Sequence, residues 1–527
     1  MSSFKVCFIG AGSLGFTRNL VRDLMIVPEF RGIQIAFTDI NERYLEMSRK
    51  CIQRDLDENG VDIRIFATTD RREALRGAKY VFNCVRIGGL DAAKQDIEIP
   101  LRYGITQCYG DTLAAGGIMY AQRGIIAVMD FCKDIREVCA EDVLCFNYAN
   151  PNAMMTWAMN EYGKVRTIGL CHGVMYGRWQ ISQALGIPEM ELDIICAGIN
   201  HMTWYVQVDH RGVSMLPRMV EAFEAHPRFS KGEKLRIDMM KRFGYYVTES
   251  NCHASEYTAW YRKRPGDFNN WMNCPDGDEI ESEDCGAYLL DLYEARDAFE
   301  KELEDLDNAP AYQFDASHRG LEHGSYIIES LETGRLYRGY FNVVNRGAIP
   351  NLPPDCVVEV PGYVDRNGIN IPLLDPLPEG CAAACLSNVT AQRLAVRAAV
   401  SGDDVLLRQA LMFDPLTGAM LTPPEIWQMV DDFLVEQAEW LPQYREAVAA
   451  ARDRLSNMPR LVPMKIQTVP LTQPRTLEDY RQYRQVSRKR RAERKAAEER
   501  KKQEEAAQAQ GLSELLGATG FQVQNKD

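Results

Sequence analysis

The stretch CFIGAGSLGFTRNL, residues 7–20, restricts the fold more than any other part of the chain. Gly10, Gly12 and Gly15 stand in G-x-G-x-x-G spacing, with Ser13 inside the turn, between an apolar β-type run and a helix-type run. The first glycine permits a tight turn and the second lets a pyrophosphate approach the backbone. The third lets the helix pack on the strand, with phosphate at the helix N-terminus. Asp39 closes the next run, IQIAFTD, where a ribose diol is held, and a carboxylate there disfavours a 2′-phosphate. The expectation is NAD rather than NADP, held by Gly10, Gly12, Ser13, Gly15 and Asp39. A helix cap for the following segment is the alternative role for Asp39.

The same pattern continues. KVCFIG, IQIAFTD, IRIFAT, KYVFNCV, VLCFNY and VRTIGL are bounded by turn residues and separated by helix-length segments. This predicts an α/β fold, a Rossmann-like doubly wound parallel sheet, over residues 1–200. Thr69 or Asp70 offers an N-cap, with Glu73 placed for a capping box. Beyond residue 200 the order is less regular: strand-like INHMTWYVQV, a helix-rich middle, turn-rich NRGAIPNLPPDCVVEVPGYVDRNGI, then helical patterns from Thr390 to about Arg454. Residues 201–455 therefore read as a second, α+β domain covering the mouth of the first. Residues 456–527 read as a linker and a charged tail, helical or disordered, because RKRRAERKAAEERKKQEEAAQAQ has no apolar stripe.

A chain of 527 residues has room for two domains and a buried site. Its net charge of -13 argues against nucleic acid, since counterion release needs a basic surface. No apolar run approaches the roughly 18–20 residues of a membrane span. The N-terminus MSSFKVCFIGAG has no signal-peptide pattern, so a cytoplasmic protein with a small-molecule partner is expected. The 15 cysteines form no CxxC pair, so each counts singly as a reduced thiol.

Two of the runs end in residues that carry chemistry. TIGLCHGVMYG sets Cys171 beside His172, and AGINHMTW carries His201. Residues just past the strand ends of such a sheet converge on the ligand crevice. A cysteine and a histidine on one metal leave coordination positions open, as catalysis requires. A packed cysteine beside a satisfied core histidine is the plain alternative. A Cys/His hydrolase lacks an adjacent orienting acid.

With FIGAGS, IGG at 87–89, YGDTLAAGGIM, FNYANPNAM, GLCHGV, AGINHMTWY, FGYYVTES, SEYTAW, NLPPDCVVEV, FDPLTGA and EWLPQY in order, the chain resembles glycoside hydrolase family 4 from Lys5 to about Tyr444, and within it the melibiase-like branch. The resemblance implies a glycosidase that uses NAD and a divalent metal, usually manganese, as a homodimer or homotetramer. It implies Cys171 and His201 as metal ligands, Asn150 on substrate or metal, and His172 on a sugar hydroxyl. It leaves Asp111 and Tyr257 as rival bases. In the implied chemistry hydride leaves C3 of the sugar for NAD, a base takes the C2 proton, and the glycosidic oxygen departs by elimination. Water then adds at C1 and the hydride returns.

Cys-His after the strand, rather than Cys-Asp-x-Pro or Cys-Asn-x-Pro, implies an unphosphorylated substrate, an α-galactoside first. The branch usually carries serine where Gly173 stands and an acid-His pair at Cys252-His253. These departures keep an α-galacturonide or α-glucuronide open, with Arg86, Arg123 and Arg262 as receivers of its carboxylate; an α-glucoside is a further option. Two other classes stand beside this. A lactate/malate-type dehydrogenase would need no metal cysteine and would accumulate NADH, and an NAD-binding regulator would not turn over.

Overall fold

The computed structural model describes residues 4–264, 267–272, 287–304 and 310–461, with a few positions between 478 and 489. Most of the expected tail, and most of the linker before it, lie outside the described residues. The strands are β1 (Lys5–Ile9), β2 (Gln34–Thr38), β3 (Phe66–Ala67), β4 (Tyr80–Asn83), β5 (Leu144–Asn147), β6 (Thr167–Gly169), β7 (Leu192–Ile199), β8 (Met202–His210), β9 (Val213–Ser214), β10 (Tyr337–Val344), β11 (Val357–Asp365) and β12 (Gly368–Asn370).

The first six pair in parallel in the order β3-β2-β1-β4-β5-β6, the doubly wound arrangement. Alternation along β1 shows why both faces are covered. Cys7 and Ile9 join a core with Ile118 and Met155 from the helices Ala114–Val138 and Asn152–Glu161. Val6 and Phe8 turn the other way, toward Leu20 of the helix Leu14–Met25.

The second half of the chain adds its strands to this same sheet. β10 lies antiparallel to β6, with Asn342 opposite Gly169; β11 follows β10, and β7 joins β11 where Gly198 faces Glu359. β8 returns along β7, so residue 200 falls in the turn of a hairpin that belongs to the common sheet.

Three local readings change. IRIFAT pairs only at Phe66–Ala67, because the Gln53 amide takes the Ile63 carbonyl (2.9 Å) and the Ile65 N–H (3.0 Å) that a longer ladder would use. Within the turn-rich stretch, VVEVPGYVD is the nine-residue strand β11. Pro361 is tolerated there since β11 meets β7 at Glu359 and β12 at 363–365, leaving 361 between them on that side. The helix expected from Thr390 starts at Glu379, after Pro378. Asp70 caps the helix Arg71–Leu75 through the N–H groups of Arg72 and Glu73. Among the described residues no helix is long and apolar enough to cross a membrane.

Candidate active site

At the end of β1 the Gly10 and Ala11 N–H groups donate to Thr38 O at 3.0 and 3.2 Å, drawing the glycine turn against β2. Gly10 has φ 86, and a Cβ there would lie 2.9 Å from the Cys84 carbonyl oxygen. A Cβ on Gly12 would come 2.8 Å from Asp39 Oδ2, which accepts the Gly12 N–H at 2.9 Å. Asp39 Oδ1 accepts the Asn41 N–H at 2.9 Å, and it is Asn41 that caps the next helix, Glu42–Glu58. Gly15 does not make the close helix-on-strand approach expected of it, for a Cβ there would meet nothing within 4 Å. Ser13 makes no side-chain cap bond and the first turn of Leu14–Met25 holds no acid, so that N-terminus fits the pyrophosphate of a dinucleotide.

Cys171 and His201 are brought together. Cys171 follows β6, and its Sγ accepts the Gly173 N–H at 3.4 Å. His201 sits in the β7–β8 turn at φ 63, a left-handed conformation that costs a non-glycine residue about 1–2 kcal/mol. Its neighbour Asn200 donates to buried Glu359 at 3.3 Å, which holds the turn in place. Between the two lies Glu249, with Oε1 at 3.4 Å from Cys171 Sγ and 3.9 Å from His201 Nε2. The three ligand atoms lie within 4.8 Å of one another, so that slight side-chain shifts would bring all three to ligand bonds of roughly 2.0–2.3 Å on one ion. His201 Nδ1 is buried without a hydrogen-bond partner among the described residues. A thiol, an imidazole and a carboxylate fit a divalent ion.

The charges are coupled. Burial, then Glu249 and Glu359, push the Cys171 thiol well above its ordinary value. For Glu249 burial acts upward, but His201, His253 and His172 together outweigh it and hold the carboxyl at about 2. Burial and the Glu249 charge push Glu359 up to about 8. His253, whose ring centroid is 4.5 Å from that of His201, is lowered to about 4 by burial and by His201.

His253 leads to the second half of the site. Its Nε2 is 4.0 Å from Asp111 Oδ1, and neither atom has a hydrogen-bond partner among the described residues. Asp111 Oδ2 accepts from Asn150 Nδ2 at 3.1 Å and lies 3.7 Å from Arg86 Nη2. The Asp111 loop is fixed from both sides. Glu256 accepts the N–H groups of Cys108, Tyr109 and Gly110, and Asp414 accepts that of Ala114 at 3.1 Å.

The other expected residues differ in standing. His172 is exposed and bonds Glu322 at 3.2 Å, which raises its pKa to about 9. Tyr257 is buried, and burial, with the Asp111, Glu249 and Glu256 charges, pushes its hydroxyl well above 10 despite Thr112. Its surroundings thus disfavour the anion that a base needs. Arg123 is buried on Asp96 and Gln437, and Arg262 on Ser255, Thr106 and Cys108, so neither receives a substrate carboxylate. Cys252 is buried as well, so the acid missing there would not have lined the opening. Glu249 and Glu359 were not singled out from the sequence, although FGYYVTES and NLPPDCVVEV contain them.

Residues 5–187 match the family model described as "Family 4 glycosyl hydrolase", and residues 196–417 the one described as "Family 4 glycosyl hydrolase C-terminal domain". A Rhizobium meliloti α-galactosidase is 52% identical over 86% of this chain and 93% of its own. A Bacillus subtilis α-galactosidase is 35% identical over 84% of this chain and 100% of its own. The Thermotoga maritima 6-phospho-β-glucosidase, solved with manganese, NAD+ and glucose-6-phosphate, superposes with a TM-score of 0.67 at 20% identity over 83% of this chain and 99% of that one, and so shares the fold.

Proposed function

The chain belongs to family 4 of the glycoside hydrolases, and from that premise we propose that it hydrolyses unphosphorylated α-galactosides through transient oxidation at C3 and elimination across C1 and C2. The observation that carries the reading is the convergence of Cys171 and His201 on one side of His253 with Asp111 and Asn150 on the other. Identity to a named α-galactosidase over most of both chains supports the choice of sugar. When bound, NAD, held at its pyrophosphate by the Gly10–Ser13 turn and at a ribose diol by Asp39, would supply a reversible hydride acceptor through its nicotinamide, and a divalent ion, manganese in this reading, held by Cys171 and His201, would supply a Lewis acid.

The protein's own groups do the rest. Asp111 Oδ1, buried and without a partner among the described residues, takes the C2 proton, and Asn150 holds the other oxygen so that Oδ1 faces inward. His172, at the solvent edge, donates to a sugar hydroxyl. Arg123 and Arg262 are committed inside the protein and Arg86 faces Asp111, which favours a neutral galactoside over a uronide. In this reading the enzyme works in the reducing cytoplasm, where thiols stay reduced, as a homodimer or homotetramer.

Two measurements bear on this. Release of 4-nitrophenol from the α-galactoside is expected to need NAD, manganese and a thiol reductant together, without accumulation of NADH. Net NADH would make the protein a dehydrogenase, and preferential release from the α-galacturonide would change the sugar. Asp39→Ala removes the diol acceptor and the brace on Gly12, so the NAD dissociation constant, read by calorimetry, should rise about tenfold, roughly the value of one hydrogen bond. An unchanged constant would reduce Asp39 to a turn residue.

A further inference from the structure

Gly173 is the first residue of the helix Gly173–Leu185, and nothing in its own backbone demands glycine, since it is absent from the positive-φ positions. The demand comes from across the site. A Cβ built on Gly173 would overlap Glu249 Oε1 and lie 2.8 Å from Cδ and 3.2 Å from Cγ of the same residue. The Glu249 carboxylate therefore occupies the volume that any other side chain at 173 would fill. That carboxylate is turned inward, with its Oε1 between Cys171 Sγ and His201 Nε2. Its ion-pair partner among the described residues is His201; no lysine or arginine lies within salt-bridge distance of it there. A half-buried carboxylate whose neighbours are histidines and a thiol, with no fixed lysine or arginine, is placed to take up a further positive charge.

We infer that Glu249 is a third protein ligand to the divalent ion held by Cys171 and His201, and that Gly173 is the residue that makes room for it. The inference rests on the reading of Cys171 and His201 given above. It also bears on which ion is held. Thiolate and imidazole alone suit zinc, cobalt or iron, whereas an added carboxylate oxygen moves the donor set toward manganese. Three protein donors still leave positions for two sugar oxygens.

The test is the affinity of the NAD-loaded protein for Mn2+ alone, without sugar, by calorimetry, in the wild type and in Glu249→Gln, Gly173→Ala, the double variant and Cys171→Ser. Glu249→Gln is expected to weaken Mn2+ binding by at least the ~10- to 100-fold that loss of a supporting outer-shell group costs. Gly173→Ala should weaken it to a similar degree by displacing the carboxylate. Alanine is the better helix former, so poor folding of the helix would not account for the loss. The double variant should bind no more weakly than the weaker single one, because both changes remove the same bond. NAD affinity and thermal midpoint, measured alongside, should stay at wild-type values. Wild-type Mn2+ affinity in Glu249→Gln overturns the inference, even if activity falls, and wild-type affinity in Gly173→Ala overturns the role given to Gly173. If Cys171→Ser loses the ion while Glu249→Gln keeps it, this inference alone fails. If Cys171→Ser also keeps it, the metal reading beneath fails as well.

Discussion

Cys171→Ser is expected to abolish hydrolysis while leaving NAD binding intact. The exchange of sulfur for oxygen is small in volume, but a serine hydroxyl does not ionise at neutral pH and is a poor ligand. The thiol itself lies where burial, Glu249 and Glu359 all oppose its ionisation. It therefore gives up its proton only when a cation arrives, and metal affinity should rise with pH for that reason. Loss of a direct ligand should cost more than the ~10- to 100-fold in metal affinity that loss of an outer-shell partner costs. Turnover should fall with it. The glycine turn follows β1, with β4 and β5 between it and the β6 end that carries Cys171, and has its own bonds to Thr38 and Asp39, so the NAD dissociation constant should not move. Calorimetry with Mn2+ and with NAD separately, followed by the galactoside assay, reads all three. Full metal-dependent activity in Cys171→Ser would remove Cys171 from the site.

What the sequence made legible follows from one geometric fact. Residues that stand directly after a parallel strand share the same end of the sheet, so the glycine turn, Asp39, Asn150 and Cys171 are legible from periodicity and position. His201 stands in the return of a hairpin, close enough to a strand end to be found the same way. Glu249 follows no strand of its own. It reaches the site because Tyr246–Thr248 runs along β8, where Tyr205 N–H donates to Tyr246 O and Thr248 N–H to Thr203 O, both at 2.9 Å. No local pattern announces an added segment of that kind. Glu359 was hidden differently, inside a strand masked by Pro361 and by flanking turn residues. The arginines show the reverse error. Arg123 has the chemistry to receive a carboxylate, and only the packed structure shows that Asp96 already occupies it, at 2.6 Å.

Asp111→Asn is the second change expected to have a large effect, and it separates the two rival bases. Asparagine keeps the shape of the side chain, and its carbonyl oxygen can still accept from Asn150 Nδ2. The loop itself is held by Glu256 and Asp414 through backbone N–H groups that the substitution does not touch. Mn2+ and NAD affinities should therefore be retained. What is lost is the ability to take a proton, and kcat should fall by about 10²- to 10⁴-fold, the usual contribution of a general base. The step can be followed directly in D2O. Wild-type protein should place deuterium at C2 of the released galactose, and Asp111→Asn should process substrate too slowly to do so. Tyr257→Phe should leave the exchange in place, because burial and three nearby carboxylates keep that hydroxyl protonated. If exchange instead survives in Asp111→Asn and stops in Tyr257→Phe, the proton belongs to Tyr257. A bound cation would then have to overcome both its burial and its acidic neighbours, which ties the identity of the base to the charge held at Cys171 and His201.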